Sequence, residues 1–121
     1  LKDNNISNIT QDENGRIWIA ASGYGVYFFD KNQKKITQIH ATQPNDTDFA
    51  SFRKIFFSDK NGSLWVGTEG SGLYQINLKT LQTRCYSIKN GLTSNNIMSI
   101  AQNKQGELLL ATDGGGLNIF N

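Results

Sequence analysis

The chain has 121 residues, 37% hydrophobic and 18% charged, with a formal net charge of +2. This balance fits a globular chain rather than a disordered one, and so small a charge argues against a nucleic-acid footprint. One cysteine, Cys85, rules out an internal disulfide. No apolar run nears the ~20 residues of a membrane-spanning helix, and no basic run exceeds Lys34-Lys35.

Taken in chain order, the first strand-like run is Ile6 to Gln11, followed by the polar turn Asp12-Glu13-Asn14-Gly15. Asn-Gly between apolar runs is a strong hairpin signal. A second strand, Arg16 to Ala20, alternates Ile17 and Ile19 with Trp18 and Ala20. That is the period of a strand, and because both sets are apolar, both faces should be covered. Gly23-Tyr24-Gly25 reads as a tight turn, since glycine reaches positive φ without a Cβ clash. A third strand, Val26 to Phe29, and a more polar fourth, Lys35 to His40, follow. The stretch Ala41 to Ala50 holds the only proline, Pro44, and reads as a surface connection.

The pattern then repeats. Strands are predicted over Arg53 to Ser58, Ser63 to Gly67, Leu73 to Ile76 and Thr83 to Ile88, and again over Ile97 to Gln102, Glu107 to Ala111 and Leu117 to Phe120. Aligning Gly15, Gly62 and Gly106 gives spacings of 47 and 44. The same spacings align Trp18 with Trp65 and Leu109, and Gly25 with Gly72 and Gly116. Leu1 to Ile6 aligns with Leu92 to Ile97. A fixed period of this size is the signature of a repeat architecture. Four antiparallel strands per ~40–50 residues is the arithmetic of a β-propeller blade. A β-sandwich has similar strand spacing but would not repeat a Trp and a glycine turn in register. The predicted fold is all-β: a partial β-propeller of three consecutive blades, at about 1–46, 47–90 and 91–121, with the third lacking its outer strand. Leu1 already lies within a repeat motif, so the chain reads as a segment of a longer protein.

"GRIWIAASGYGV", "GSLWVGTEGSGL" and "GELLLATDGGGL", with "NNISNITQDENG" and "SNNIMSIAQNKQG", resemble the two-component regulator propeller repeat. The resemblance implies a periplasmic sensor region of a membrane-anchored hybrid histidine kinase of Bacteroides-like gut bacteria. It also implies sensing of carbohydrate breakdown products. The chain departs from the pattern at Leu109 in place of Trp, at Asn103 in place of Asp, and at Arg53, which spacing sets against Ile6 and Ile97.

The chemical candidates are few. The glycine runs lack the following helix that a phosphate loop needs. "DENG" and "DKNG" open like calcium loops, but the twelfth positions are Gly23 and Gly70 rather than the required Glu. His40 and Cys85 fall on outer strands of different blades, which argues against a Cys–His nucleophile pair. No catalytic residue, metal ligand or cofactor is assigned. Propeller topology places the turns between second and third strands at the channel mouth, with Tyr24, Ser71 and Gly115 there and Glu69, Asp113 and Arg53 nearby; of these, Tyr24, Arg53, Glu69 and Asp113 are the ligand-binding candidates. Tyr24 would stack on a sugar ring and Arg53 would bind a carboxylate or sulfate on it. The expected function is non-catalytic ligand sensing, with an oligosaccharide and the remaining blades of the parent as partners. The alternatives are a piece of a polysaccharide-acting propeller enzyme and a pure interaction scaffold. Open faces on the first and third blades should drive self-association.

Overall fold

The computed structural model describes residues 5–22, 25–40, 49 and 53–120. Three antiparallel sheets follow one another along the chain. The first holds β1 (Ile6–Gln11), β2 (Ile17–Ala21), β3 (Gly25–Asp30) and β4 (Lys35–Ile39) in that spatial order. The second holds β5 (Lys54–Ser58), β6 (Ser63–Thr68), β7 (Leu73–Asn77) and β8 (Thr83–Tyr86), also in order. The third holds β9 (Ile97–Gln102), β10 (Leu108–Thr112) and β11 (Leu117–Phe120), with β10 central. Each sheet is a propeller blade, and the third has three strands among the described residues.

The β1–β2 hairpin shows how each blade starts. Asp12 N–H donates to Arg16 O at 3.0 Å, and Gly15, at φ +86°, donates to Asp12 O at 3.0 Å. Asp12 Oδ1 also takes the N–H groups of Asn14 and Arg16 at 2.8 and 3.0 Å. Its Oδ2 accepts the indole N–H of Trp18 at 2.7 Å. Blade two repeats this: Asp59 accepts from Asn61, Ser63 and, at 2.8 Å, from Trp65 Nε1. In blade three Asn103 Oδ1 keeps both backbone bonds, and its Nδ2 donates to Glu107 Oε2 at 2.8 Å. Leu109 has no indole to offer. The two departures of blade three are therefore one linked change, because a carboxylate is needed only where a donor must be held.

Strand alternation then decides which blade each side chain meets. Trp18, Val26, Phe28 and Ile39 of blade one pack on Leu64, Val66, Tyr74 and Ile76 of blade two. Trp65 and Leu73, on the other face of blade two, pack on Leu108 and Leu110 of blade three. Every residue of β6 is buried, as the two-sided apolar pattern requires of a blade with neighbours on both sides. Full burial of such a side chain stabilises by about 1.5–3 kcal/mol, so these two interfaces hold the blades together.

Three local expectations need correction. The outer strand of blade two stops at Tyr86, because Ser87 caps a single 3₁₀ turn, Ile88–Asn90, that ends at Gly91 in the left-handed region. Within Ala41 to Ala50, Phe49 is not on the surface. It is fully buried in the interface of blades one and two, its ring centroid 4.4 Å from that of Tyr74; the rest of that stretch lies outside the described residues. The register of β5 also differs by one residue. In blade one Ile6 pairs with Ala21 and Asn8 with Ala20, so Ser7 is an extra residue in a bulge. Blade three repeats this with Met98. In blade two Lys54 pairs with Thr68 and Ile55 with Gly67, with no extra residue. Lys54, not Arg53, thus occupies the position of Ile6 and Ile97.

Candidate ligand site at the channel end of the blades

The inner strands β1, β5 and β9 lie side by side at the axis edge of the blades. At one end, the residue after each second strand is tied to the residue before the first. Ser22 N–H donates to Asn5 O at 2.8 Å, Glu69 to Arg53 O at 3.2 Å, and Asp113 to Asn96 O at 3.0 Å. This closure brings the turns and the first-strand approaches to one end, with the hairpin turns of Asp12, Asp59 and Asn103 at the other.

Arg53, Glu69 and Asp113 all lie at this end. Arg53 Nε and Glu69 Oε2 stand 3.9 Å apart, with side chains 67% and 56% exposed. Such a pair stabilises by at most about 1 kcal/mol, so an incoming anion can replace the carboxylate at little cost. Glu69 is also bridged to Asn96, whose carbonyl accepts from Asp113. One backbone path therefore runs from Arg53 through Glu69 and Asn96 to Asp113, across two blades. Tyr24 lies outside the described residues.

The loop into blade three fixes this end. Asn95 O accepts from both Gly70 and Gly72, at 3.1 and 3.0 Å, and Asn95 Oδ1 accepts from Ile88 N–H at 2.9 Å. Thr93 and Ser94 hydroxyls donate to Gly115 O and Asp113 O at 2.6 and 2.9 Å. A Cβ on Gly115 would stand 2.5 Å from Thr93 Oγ1, so this glycine is a packing requirement of the loop.

Lys54 went unnoticed in the sequence. It is fully buried, and its Nζ donates to Ala21 O at 2.9 Å, from blade two to blade one. The signal was present in Arg53-Lys54: two successive residues of a strand face opposite ways, so one of two basic neighbours must turn inward.

At the opposite end a recess of about 270 Å³ lies between blades two and three, beside Ser63, Trp65, Gln75, Tyr86 and Phe120. Between blades one and two, Arg16 bridges the corresponding gap. Its Nη1 donates to Leu78 O at 3.0 Å, and its guanidinium lies 5.4 Å from the Phe28 ring centroid. Ser63 takes the place of Arg16 in blade two and cannot reach across.

His40 and Cys85 sit in different blades, His40 just after β4 and Cys85 within β8; Cys85 Sγ donates to Ser71 O at 3.5 Å. Among the described residues no three His, Cys, Asp or Glu side chains gather where a metal could be held. The channel end offers a guanidinium and two carboxylates, which suits reversible binding of a polar ligand.

Residues 1–23 match the two component regulator propeller family model. No curated protein matches the chain. Among solved structures, the fold is similar to the extracellular domain of the hybrid two component system BT3049 from B. thetaiotaomicron, with TM-score 0.80 and 27% identity. That match covers 98% of this chain and 16% of the other. The extracellular domain of BT4673 from the same organism matches with TM-score 0.81 and 23% identity, covering 100% of this chain and 18% of the other. PorZ, a surface component of the type-IX secretion system of Porphyromonas gingivalis, matches with TM-score 0.74 and 22% identity, covering 99% of this chain and 18% of the other. The chain thus spans less than a fifth of each neighbour's length.

Proposed function

We propose that this chain, which carries a two-component regulator propeller repeat in its first blade, is a non-catalytic part of the ligand-sensing propeller of a two-component system. In this reading the parent is a membrane-anchored histidine kinase with its propeller in the periplasm. The observation that carries it is the joint one of the repeat match and a likeness at 27% identity to an extracellular two-component domain. The ligand is a carbohydrate breakdown product, and the channel end is where it contacts these blades. Arg53 takes an acidic substituent of the sugar, displacing Glu69 from a weak pair, while Glu69 and Asp113 accept from hydroxyl groups. The loop Thr93–Asn96 links that contact to two blades at once.

The test is calorimetric titration of the chain with a galacturonate trimer and with the neutral galactose trimer. The reading predicts heat with the acidic trimer, lost in Arg53→Ala with folding intact. Equal response to both trimers, or binding unchanged in Arg53→Ala, would contradict it. A second reading, an interaction scaffold without a small ligand, draws on the exposed apolar side chains of Ile9, Leu117 and Ile119; binding of neither trimer would favour it.

A further inference from the structure

The chain contains three Asn-Gly pairs: Asn14-Gly15, Asn61-Gly62 and Asn90-Gly91. Asparagine is a thermolabile residue, and most so before glycine, where no Cβ hinders attack by the backbone nitrogen. The glycine nitrogen bonds to the asparagine Cγ, its proton is lost, the Cγ–Nδ2 bond breaks, and Nδ2 leaves as ammonia. Water then opens the cyclic imide. Opening at Cγ leaves aspartate, and opening at the backbone carbonyl leaves isoaspartate. Either way one water is consumed and one ammonia released, with no change of oxidation state. The attack needs a free glycine N–H and a side chain that can turn towards it. A hydrogen-bonded N–H must first open.

The fold treats the three pairs differently. At Asn90-Gly91 both reacting groups are held. Asn90 Oδ1 accepts the Ser87 N–H at 3.0 Å, and the Gly91 N–H donates to Ile88 O at 3.2 Å. At Asn14-Gly15 the nucleophile is held, because the Gly15 N–H donates to Asp12 O at 3.0 Å. Blade three makes the same turn bond, Gly106 N–H to Asn103 O at 3.1 Å, but has Gln105 before its glycine. At Asn61-Gly62 the Gly62 N–H has no acceptor among the described residues. Asn61 is exposed, and nothing lies within 4 Å of the place of a Gly62 Cβ, so the turn is open on that side.

We propose that Asn61 is a site of spontaneous modification: in the folded protein it deamidates through the cyclic imide, ahead of Asn14 and Asn90. The product acts on the turn. Asp59 Oδ1 accepts from the N–H groups of Asn61 and Ser63, both at 2.9 Å, while Oδ2 holds the Trp65 indole. Isoaspartate routes the chain through Cβ and Cγ, which adds one carbon between those two N–H groups. It also shifts Gly62 O, which accepts from Leu78 N–H at 3.0 Å. The modified turn therefore holds Trp65 less firmly against blade three. No ligand takes part, so a negative result leaves the sensing reading untouched.

The experiment incubates the whole chain in mildly alkaline buffer below its melting temperature, beside a sample kept unfolded in urea. Peptide mapping by mass spectrometry follows amide-to-acid conversion at the three asparagines, and isoaspartyl methyltransferase labels the isoaspartyl product. In the folded chain Asn61 should convert about tenfold faster than Asn14 or Asn90, the effect of one backbone hydrogen bond on a rate. In urea the three should convert at similar rates, because the dipeptide is the same. The isolated isoaspartyl fraction should melt below the unaltered chain. Conversion of Asn14 or Asn90 as fast as Asn61 in the folded chain would overturn the proposal. So would conversion of Asn61 in urea alone, a lead of Asn61 that persists in urea, or an isoaspartyl fraction that melts with the unaltered chain.

Discussion

The carboxylate of Asp59 holds the indole N–H of Trp65 at 2.8 Å while its other oxygen takes two backbone N–H groups of the hairpin turn. Asp59 is 7% exposed and Trp65 6%. One buried side chain thus fixes both the turn of a blade and the rotamer of the residue that packs on the next blade. A charged acceptor in such a site is stronger than a neutral one.

Asp59→Asn keeps the turn, as Asn103 does in blade three, but puts the amide Nδ2–H₂ or a weaker carbonyl opposite the indole donor. The expected loss is about 1–3 kcal/mol. In a Trp65→Leu background the donor is gone, and the same change should cost at least ~1 kcal/mol less. Urea unfolding of the four proteins measures this coupling; an equal cost in both backgrounds would show that the two positions vary independently.

Lys54 and Arg53 should separate structure from binding. Lys54→Met keeps the methylene volume but leaves the buried Ala21 carbonyl without this donor, for an expected loss of about 1–3 kcal/mol. Arg53→Ala, at an exposed position, should stay within about 0.5 kcal/mol of the unaltered chain. Thermal melts compare them, and a reversed order would refute the assigned register of β5.

Two glycines of similar backbone angle should differ in cost. Gly62, at φ +88°, has nothing near the place of a Cβ, whereas a Cβ on Gly72, at φ +87°, would collide with the Tyr86 carbonyl. Gly62→Ala carries the left-handed penalty alone, about 1–2 kcal/mol. Gly72→Ala must also move the β7–β8 pair, and should lose roughly twice as much or more. Equal denaturation midpoints would mean that the close approach at Gly72 is not held in solution.

Much of this fold was legible because it repeats. Strand alternation and the glycine turns located the strands, and the glycine spacing placed the blades in register. What repetition hides is an insertion of one. The bulges at Ser7 and Met98 each add a residue that blade two lacks, so fixed spacing matched Arg53 to the wrong neighbours and left Lys54 unremarked. Phe49 was lost for a related reason: a lone aromatic in a polar stretch carries no period. The departures Asn103 and Leu109 were visible separately, but their link lies in a hydrogen bond between side chains six residues apart, which spacing does not reveal. For the candidate site, topology brought Arg53, Glu69 and Asp113 to one end. The Asn95 loop that ties that end together has no signature beyond its likeness to Leu1–Ile6.

The most direct test of the sensing account is amide chemical-shift mapping of the chain during titration with the galacturonate trimer. The account predicts that the shifting amides cluster at Arg53, Glu69, Asn96 and Asp113, with Asn95 and Gly70 following through the shared loop. Shifts confined to the opposite end, around Asn14, Asn61 and Gln105, or no shifts at all, would contradict it.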